Sequence, residues 1–401
     1  MADGGQRARK VHLPVWISPE ESDRFLKGDW KPYAAEIEDL AHKGIQTTDL
    51  ALFTYGMFVE WDSAHETTYK DFARALPAYR GAYDRYFDVD DGEIRFRRDP
   101  RVEFVERIGV GAALATTAKV VGLTDADFEI IPVQKVKALD FRHQIHAFGN
   151  TFELEVEAKG THDGKGSSKH RGEIRDKKAV QARRGRRSHR VLRIGVIADI
   201  ATDPSKTSSV ELVDPPGDGQ DEDLSSERFL RRLDFYRSRL ALVTPRGRMV
   251  AALANRIAVL KSMSPARRAE LDDVPLVGGS MEPLKGRPLP GTELALLGPR
   301  SRRAQVKLYP LGATAAAGND SVSCYVHGIV SSVVQRLTTP AMSDVLDLRE
   351  TEATVEVRDN GIYGQVAVLP SGLVGGLVSV KRWRLRIPDE DVAQASTFLR
   401  R

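Results

Sequence analysis

The sequence predicts a mixed α/β (α+β) protein: an α/β core between an N-terminal helical region and a C-terminal β-rich domain. Three observations lead there. The middle of the chain changes period in the order helix, strands, helix, strand, strand. Residues 1–100 carry aromatics at mixed helical spacings, as in LFTYGMFVEW (52–61) and the stretch from Tyr69 to Phe87. From about residue 290, strand-like runs such as ELALLG, QVKLYPLG, SCYVHGIVSSVV, ATVEVRD and VSVKRWRLRI recur between Gly/Pro turns. The 401 residues suffice for two or three domains with their own cores. Their expected bounds are 1–100 (helical, aromatic-rich), 101–220 (the core), 221–285 (a basic helical segment) and 286–401 (β-rich).

Within the core, residues 102–123 read as a helix. Val105, Ile108, Ala112 and Ala115 form one stripe, and Gly122 is placed to end it. FEIIPVQ (128–134) and KALDFRHQIHAF (137–148) read as strands, and FELEVEAKG (152–160) as another, with a turn expected near 148–150. A basic helix is expected over 169–187. VLRIGVIADI (191–200) is apolar enough for a central strand covered on both faces, and SSVELV (208–213) follows as one more. The loop DPPGDGQDEDLSS (214–226) marks a boundary, and 227–262 returns to helix with a break near Pro245.

Several classes fall away. Cys324 is the only cysteine, which removes intramolecular disulfides and multi-cysteine zinc sites and makes it a core residue in an apolar run. No uninterrupted apolar stretch is long enough to span a membrane, and MADGGQRARK lacks the apolar centre of a secretory signal. A cytoplasmic protein with no membrane partner is expected. No Walker-type G-x-x-x-x-G-K-[ST] and no G-x-S-x-G elbow occurs, and GVGAAL (109–114) lacks the third glycine of a dinucleotide fingerprint. His143 and His146 in HQIH would point to opposite faces of a strand and so make a poor zinc pair.

The row Glu153, Glu155, Glu157 and Lys159 is the remaining question. With period two these four share one side of a strand, either as a solvated face held by cross-strand pairs or as part of a metal site. Asp140 lies 17 residues before Glu157, a gap that suits adjacent strands joined by a short turn. Two carboxylates can hold a hard divalent cation while leaving positions for water and a phosphate oxygen, and a nearby lysine can stabilise developing negative charge. Glu153 and Glu155 themselves are read as surface or site-rim residues.

Asp140 in LDFR, the triplet Glu157-Ala158-Lys159 in VEAKGT and the α-β-β-β-α-β order resemble the PD-(D/E)xK nuclease superfamily, the restriction-endonuclease-like fold. The resemblance covers about 102–213, and Leu139 stands where the motif has its proline. It implies that Asp140 and Glu157 ligate Mg²⁺ (or Mn²⁺), joined by the Ala158 carbonyl, and that Lys159 is catalytic. It also implies a glutamate on the preceding helix, Glu106 or else Glu103, and a Gln or Lys on the following one, where Lys177 and Gln181 share a face.

Residues 165–190 hold 11 Lys or Arg against two acids, and 228–268 hold 11 against one, Asp234. Lys177, Lys178, Arg183, Arg184, Arg186 and Arg187 are therefore expected to contact phosphates, with DNA as partner and RNA left open. The expected function is a metal-dependent phosphodiesterase acting on DNA, in defence or DNA processing, with a homodimer as one arrangement. The alternatives are a non-catalytic nucleic-acid-binding or adaptor protein that keeps the fold, and a protein-interaction module.

Overall fold

The structure is a computed structural model that describes residues 8–27, 30–61, 76, 80–98, 100–130, 140–147, 150–182, 191–213, 225–244, 247–264, 267–268, 270–274, 292–298, 301–312 and 321–381. Its class is mixed α/β. The chain divides into two compact units, one formed by 10–66 and 84–231, the other by 1–9, 67–83 and 232–401.

The first unit is built on a six-stranded mixed sheet. Strands β6 (Glu129–Ile130), β7 (Phe141–Ala147) and β8 (Asn150–Thr161) run as an antiparallel meander, with Ala147 paired to Asn150. β8 then lies parallel to β9 (Val191–Asp199), which pairs antiparallel with β10 (Ser209–Val213). A parallel pair needs a crossover, and the helix α5 (Ser167–Ala182) supplies it. β9 is buried along almost its whole length, as its apolar run requires.

The helix α4 (Val102–Val121) packs on the same sheet and ends where Gly122 turns left-handed, at φ 66°. Its approach is unusually close. A Cβ on Gly160 of β8 would lie 2.1 Å from the Val105 carbonyl oxygen, and one on Gly109 of α4 would lie 2.3 Å from the Gly160 Cα. Two glycines let helix and strand backbones meet with no side chain between them. Gly160 and the even-numbered residues of β8 thus face α4, and the odd-numbered ones face α5.

The N-terminal region corrects the helical expectation. Among the described residues the helices α1 (Pro19–Lys27), α2 (Ala34–Lys43) and α3 (Asp49–Trp61) and a helical stretch at 80–86 are present, but five strands accompany them. β1 (Lys10–Leu13) pairs with β3 (Ile45–Thr48), and β4 (Phe87–Asp90) forms a hairpin with β5 (Glu93–Phe96). β2 (Val15–Ile17) adds a parallel edge to the central sheet beside β10. Runs of three or four residues are too short to show a period. The hairpin does have a readable cue, Asp91-Gly92, whose two positive φ values suit a tight turn between twisted strands. The aromatics build core: Phe25, Trp30 and Tyr33 pack as tilted neighbours, with ring centroids 5.9 and 5.8 Å apart.

In the second unit the β-rich expectation takes the form of a closed barrel. Its order is β11 (Thr292–Leu297), β12 (Arg302–Gly312), β13 (Ser321–Val330), β16 (Leu373–Lys381), β15 (Ile362–Val368) and β14 (Ala353–Asp359). Closure removes the open edges of the sheet. Cys324 is buried in β13. Two short helices, α8 (Ser331–Arg336) and α9 (Met342–Leu346), lie in the connection from β13 to β14.

The segment expected as a separate basic helical piece, 221–285, is divided instead. It contains α6 (Ser225–Val243) and α7 (Arg248–Lys261), and everything from Arg232 onward groups with the barrel. The helices are tied there by buried arginines. Arg232 donates to the carbonyls of Val345 and Leu348, and Arg256 to those of Leu337 and Pro340. Tyr236 Oη donates to the Ser371 carbonyl at 2.9 Å.

Candidate active site around Glu157

β8 carries the centre of the site. Glu157 is wholly buried, and its neighbour across the parallel ladder is Gly195 of β9. The space over Gly195 is filled by Ile174 of α5, whose Cγ2 lies 2.7 Å from where a Cβ would be. Ile174 clusters with Ile197 and Val213, which seats α5 on the sheet. Lys177, three residues on and so on the same helix face, then reaches Glu157.

Asp140 is held against β8 by the backbone. Its N–H donates to the Val156 carbonyl at 3.0 Å, and its Oδ2 accepts from the Ala158 N–H at 3.1 Å. This clamp fixes the carboxylate beside Glu157. Lys177 Nζ lies 2.6 Å from Glu157 Oε1 and 3.7 Å from Asp140 Oδ1. Lys159 Nζ lies 2.7 Å from the same Glu157 Oε1. Glu157 Oε2 is buried with no hydrogen-bond partner.

The electrostatics follow from this geometry. Burial raises the Glu157 pKa above the ordinary glutamate value, and the nearby Asp140 charge raises it further, while Lys159 and Lys177 work against the shift. Burial works to lower the Lys159 pKa, but Glu157 and Asp140 outweigh it and the net direction is up. The two directions are compatible because Glu157 has no access to water whereas Lys159 keeps 22% of its side chain exposed. Glu173, one turn before Lys177 on α5, has its pKa lowered. Its partial burial acts to raise it, but the His170 hydrogen bond and the charges of Lys159 and Lys169 prevail.

The rest of the row corrects the expected surface or rim position. Glu153 and Glu155 are buried. Glu155 Oε2 accepts from Arg193 Nε at 3.0 Å, across the ladder in β9, and both side chains are almost fully buried. The polar period was real, but helix α5 and a cross-strand arginine stand where water was one of the two expectations. α5 also spends its own charge inside the unit: Arg171 pairs with Glu211 of β10 at 2.8 Å and Arg175 with Glu21 of α1 at 2.7 Å.

Other expected site residues distribute as follows. Ala158 is buried in β8 between the two functional side chains. Glu106 is exposed on α4 and forms no three-carboxylate group with Asp140 and Glu157. The side chain of Glu103 lies outside the described residues, as do those of His143 and His146. Lys178 and Gln181 belong to α5, but their side chains lie outside the described residues, and so do Arg183, Arg184, Arg186 and Arg187 entirely. In the second basic tract Arg232, Arg239, Arg256 and Arg268 are buried, and Arg228 pairs with Asp127 at 3.0 Å. The charge counted there overstates what a polyanion would meet. Sequence reasoning missed Glu173 and His170, whose Nδ1 is 3.5 Å from Glu173 Oε2. The i, i+4 spacing of Glu173 and Lys177 was the available signal.

No protein-family model, curated protein or solved structure matches the chain. Among the described residues no group of three or more His, Cys, Asp or Glu side chains is arranged to hold a metal ion. Asp140 and Glu157 form a pair, which suits a cation that keeps much of its water, such as Mg²⁺, better than one needing a complete protein cage. The unpartnered, buried Glu157 Oε2 fits such a cation.

Proposed function

We propose that this protein is a metal-dependent nuclease with a restriction-endonuclease-like core, hydrolysing phosphodiester bonds in DNA. The observation that carries the proposal is the convergence of Asp140, Glu157 and Lys159 at one point of the sheet, with a buried carboxylate oxygen left without a partner. The order α4, β6, β7, β8, α5, β9 supports it as well.

Asp140 and Glu157, with the Ala158 carbonyl, would hold Mg²⁺ or Mn²⁺. When bound, the ion supplies polarisation of the phosphate and a lower pKa for water. The chain's own groups do the rest. The backbone clamp on Asp140 keeps the two carboxylates in register, so the site is organised before substrate arrives. Lys159, with its raised pKa, is a fixed positive charge, suited to the charge that builds on phosphate oxygens in the transition state. α5 and α4 cover the two faces of β8 and limit water to the open side near Lys159 and Lys177.

A second interpretation has its own observation. Both lysines are engaged by one carboxylate oxygen, as in a structural ion-paired cluster of a non-catalytic nucleic-acid-binding protein that keeps the fold. Incubation with plasmid and linear DNA in Mg²⁺, Mn²⁺ or EDTA, together with calorimetric Mn²⁺ titration of wild type, Asp140→Ala and Glu157→Ala, separates the two. Divalent-dependent cleavage and lost Mn²⁺ binding in both variants are the expected results. Unchanged Mn²⁺ affinity in both variants would remove the metal assignment.

A further inference from the structure

We infer that Lys177 is an internal counter-cation that keeps the Asp140–Glu157 pair closed to divalent metal until a phosphodiester draws its ammonium away. The inference rests on the nuclease proposal for the same site and adds its regulation.

Lys177 Nζ is the one described ammonium placed against both carboxylates, at 2.6 Å from Glu157 Oε1 and 3.7 Å from Asp140 Oδ1. That is the ground a cation bridging the pair would need. Lys159 is differently situated. It sits on β8, two residues after Glu157, with its backbone locked opposite Ile197. Its ion pair is with Glu157, whereas Lys177 reaches in from the facing helix to both carboxylates, and with 20% of its side chain exposed it has a path toward solvent.

Charge balance gives the direction. Asp140, Glu157, Lys159 and Lys177 balance one another, and Glu173 adds one negative charge beside Lys159. Adding a divalent ion with Lys177 still in place would set two cations against the same carboxylate oxygens and leave a surplus of positive charge, which is costly in such surroundings. A phosphodiester at the open side supplies an anion for Lys177 and frees the carboxylates together. Glu157 Oε2, buried and unpartnered, is the oxygen that waits for the incoming ligand. Metal loading is thereby coupled to the presence of substrate.

The test is calorimetric titration of Mn²⁺ into wild type, Lys177→Met, Lys177→Gln and Lys177→Arg. Each is titrated alone and saturated with a duplex whose backbone carries cleavage-resistant phosphorothioates; inorganic phosphate serves as the non-nucleic anion in a third arm. Folding is verified by circular dichroism, and the Gln variant stands in if the Met variant does not fold. Lys177→Met or Lys177→Gln should bind Mn²⁺ about tenfold or more tightly without DNA. Lys177→Arg should stay near wild type, and duplex should tighten Mn²⁺ binding in wild type but not in the neutral variants. Tightening by inorganic phosphate as well would assign the trigger to any phosphate anion; tightening by duplex alone would assign it to the nucleic-acid backbone. Equal or weaker Mn²⁺ binding by the neutral variants, with binding still abolished by Asp140→Ala, would overturn the role of Lys177 and leave the metal site standing. No Mn²⁺ binding to any of these proteins, with or without duplex, would sink both.

Discussion

Gly160→Ala is the sharpest probe of how the site is held. The added methyl would lie 2.1 Å from the Val105 carbonyl oxygen and 2.8 Å from its carbon, far inside the 3.0 Å that real Cβ atoms essentially never breach. Both obstacles are backbone, so no rotamer change relieves them, and α4 must move away from β8 by most of an ångström. Overpacking of this kind costs about 1–3 kcal/mol, and the backbone-on-backbone contact puts this case at about 3. For a unit of this size that is a fall in Tm of about 6–12 °C. The assay is thermal melting and urea denaturation, both followed by far-UV circular dichroism, with Gly172→Ala as control. Gly172 is exposed in α5 and a Cβ there meets nothing within 4 Å, so that variant should gain about 0.5–1 kcal/mol. Equal stability of Gly160→Ala and wild type would refute the close contact between helix and strand. Because Lys159 is the adjacent residue, a folded Gly160→Ala should also lose Mn²⁺-dependent cleavage.

Three further outcomes are expected. Lys159→Ala should lower single-turnover cleavage by orders of magnitude at nearly unchanged DNA affinity, with poor rescue by Lys159→Arg; turnover within a few-fold of wild type would return Lys159 to a structural role. The raised Glu157 pKa means that its carboxyl binds a proton more readily folded than unfolded. Its stability contribution is thus present below the ordinary glutamate value and lost as pH rises through the folded one, while Mn²⁺ affinity climbs over that same rise. Glu157→Gln should flatten the stability slope in urea titrations across pH, and a slope identical to wild type would contradict the burial argument. Asp163 behaves oppositely: partial burial works to raise its pKa, but hydrogen bonds from Thr202 and the Asp203 N–H hold it well below the carboxylate range. Asp163→Ala should cost about 1–3 kcal/mol above the ordinary aspartate value, a difference that shrinks as pH falls through the folded value; equal chemical stability at pH 7 would count against it.

What could be read beforehand follows the length and strength of each pattern. β9 was legible because a largely apolar nine-residue run has one good solution, a strand covered on both faces. The meeting of Asp140 and Glu157 was legible because their separation leaves room for one hairpin and little else, and Gly122 announced the end of α4. The burial of Glu153 and Glu155 was not. A polar period of two says which side chains share a face, not whether water or counter-charges lie opposite, and Arg193 came from a strand 38 residues away. The buried arginines show the same limit, because composition counts charge without placing it. A partial cue existed in α6, where Arg232 and Arg239 stand seven apart, beside the apolar stripe of Phe229, Leu233, Tyr236 and Leu240.

Those arginines also decide where the second unit can be cut. A fragment beginning near residue 286, at the first strand of the barrel, would keep all six strands and look complete by strand count. It would strip the donors from the carbonyls of Leu337, Pro340, Val345 and Leu348, and would remove the Tyr236 hydroxyl from the Ser371 carbonyl. These acceptors all lie in the connections between barrel strands, so the helices act as a clasp on the cylinder rather than as a neighbour beside it. The smallest portable form of the barrel therefore includes the helices that precede it, and recombination or domain grafting at the apparent β-boundary would carry away an object with its rim undone.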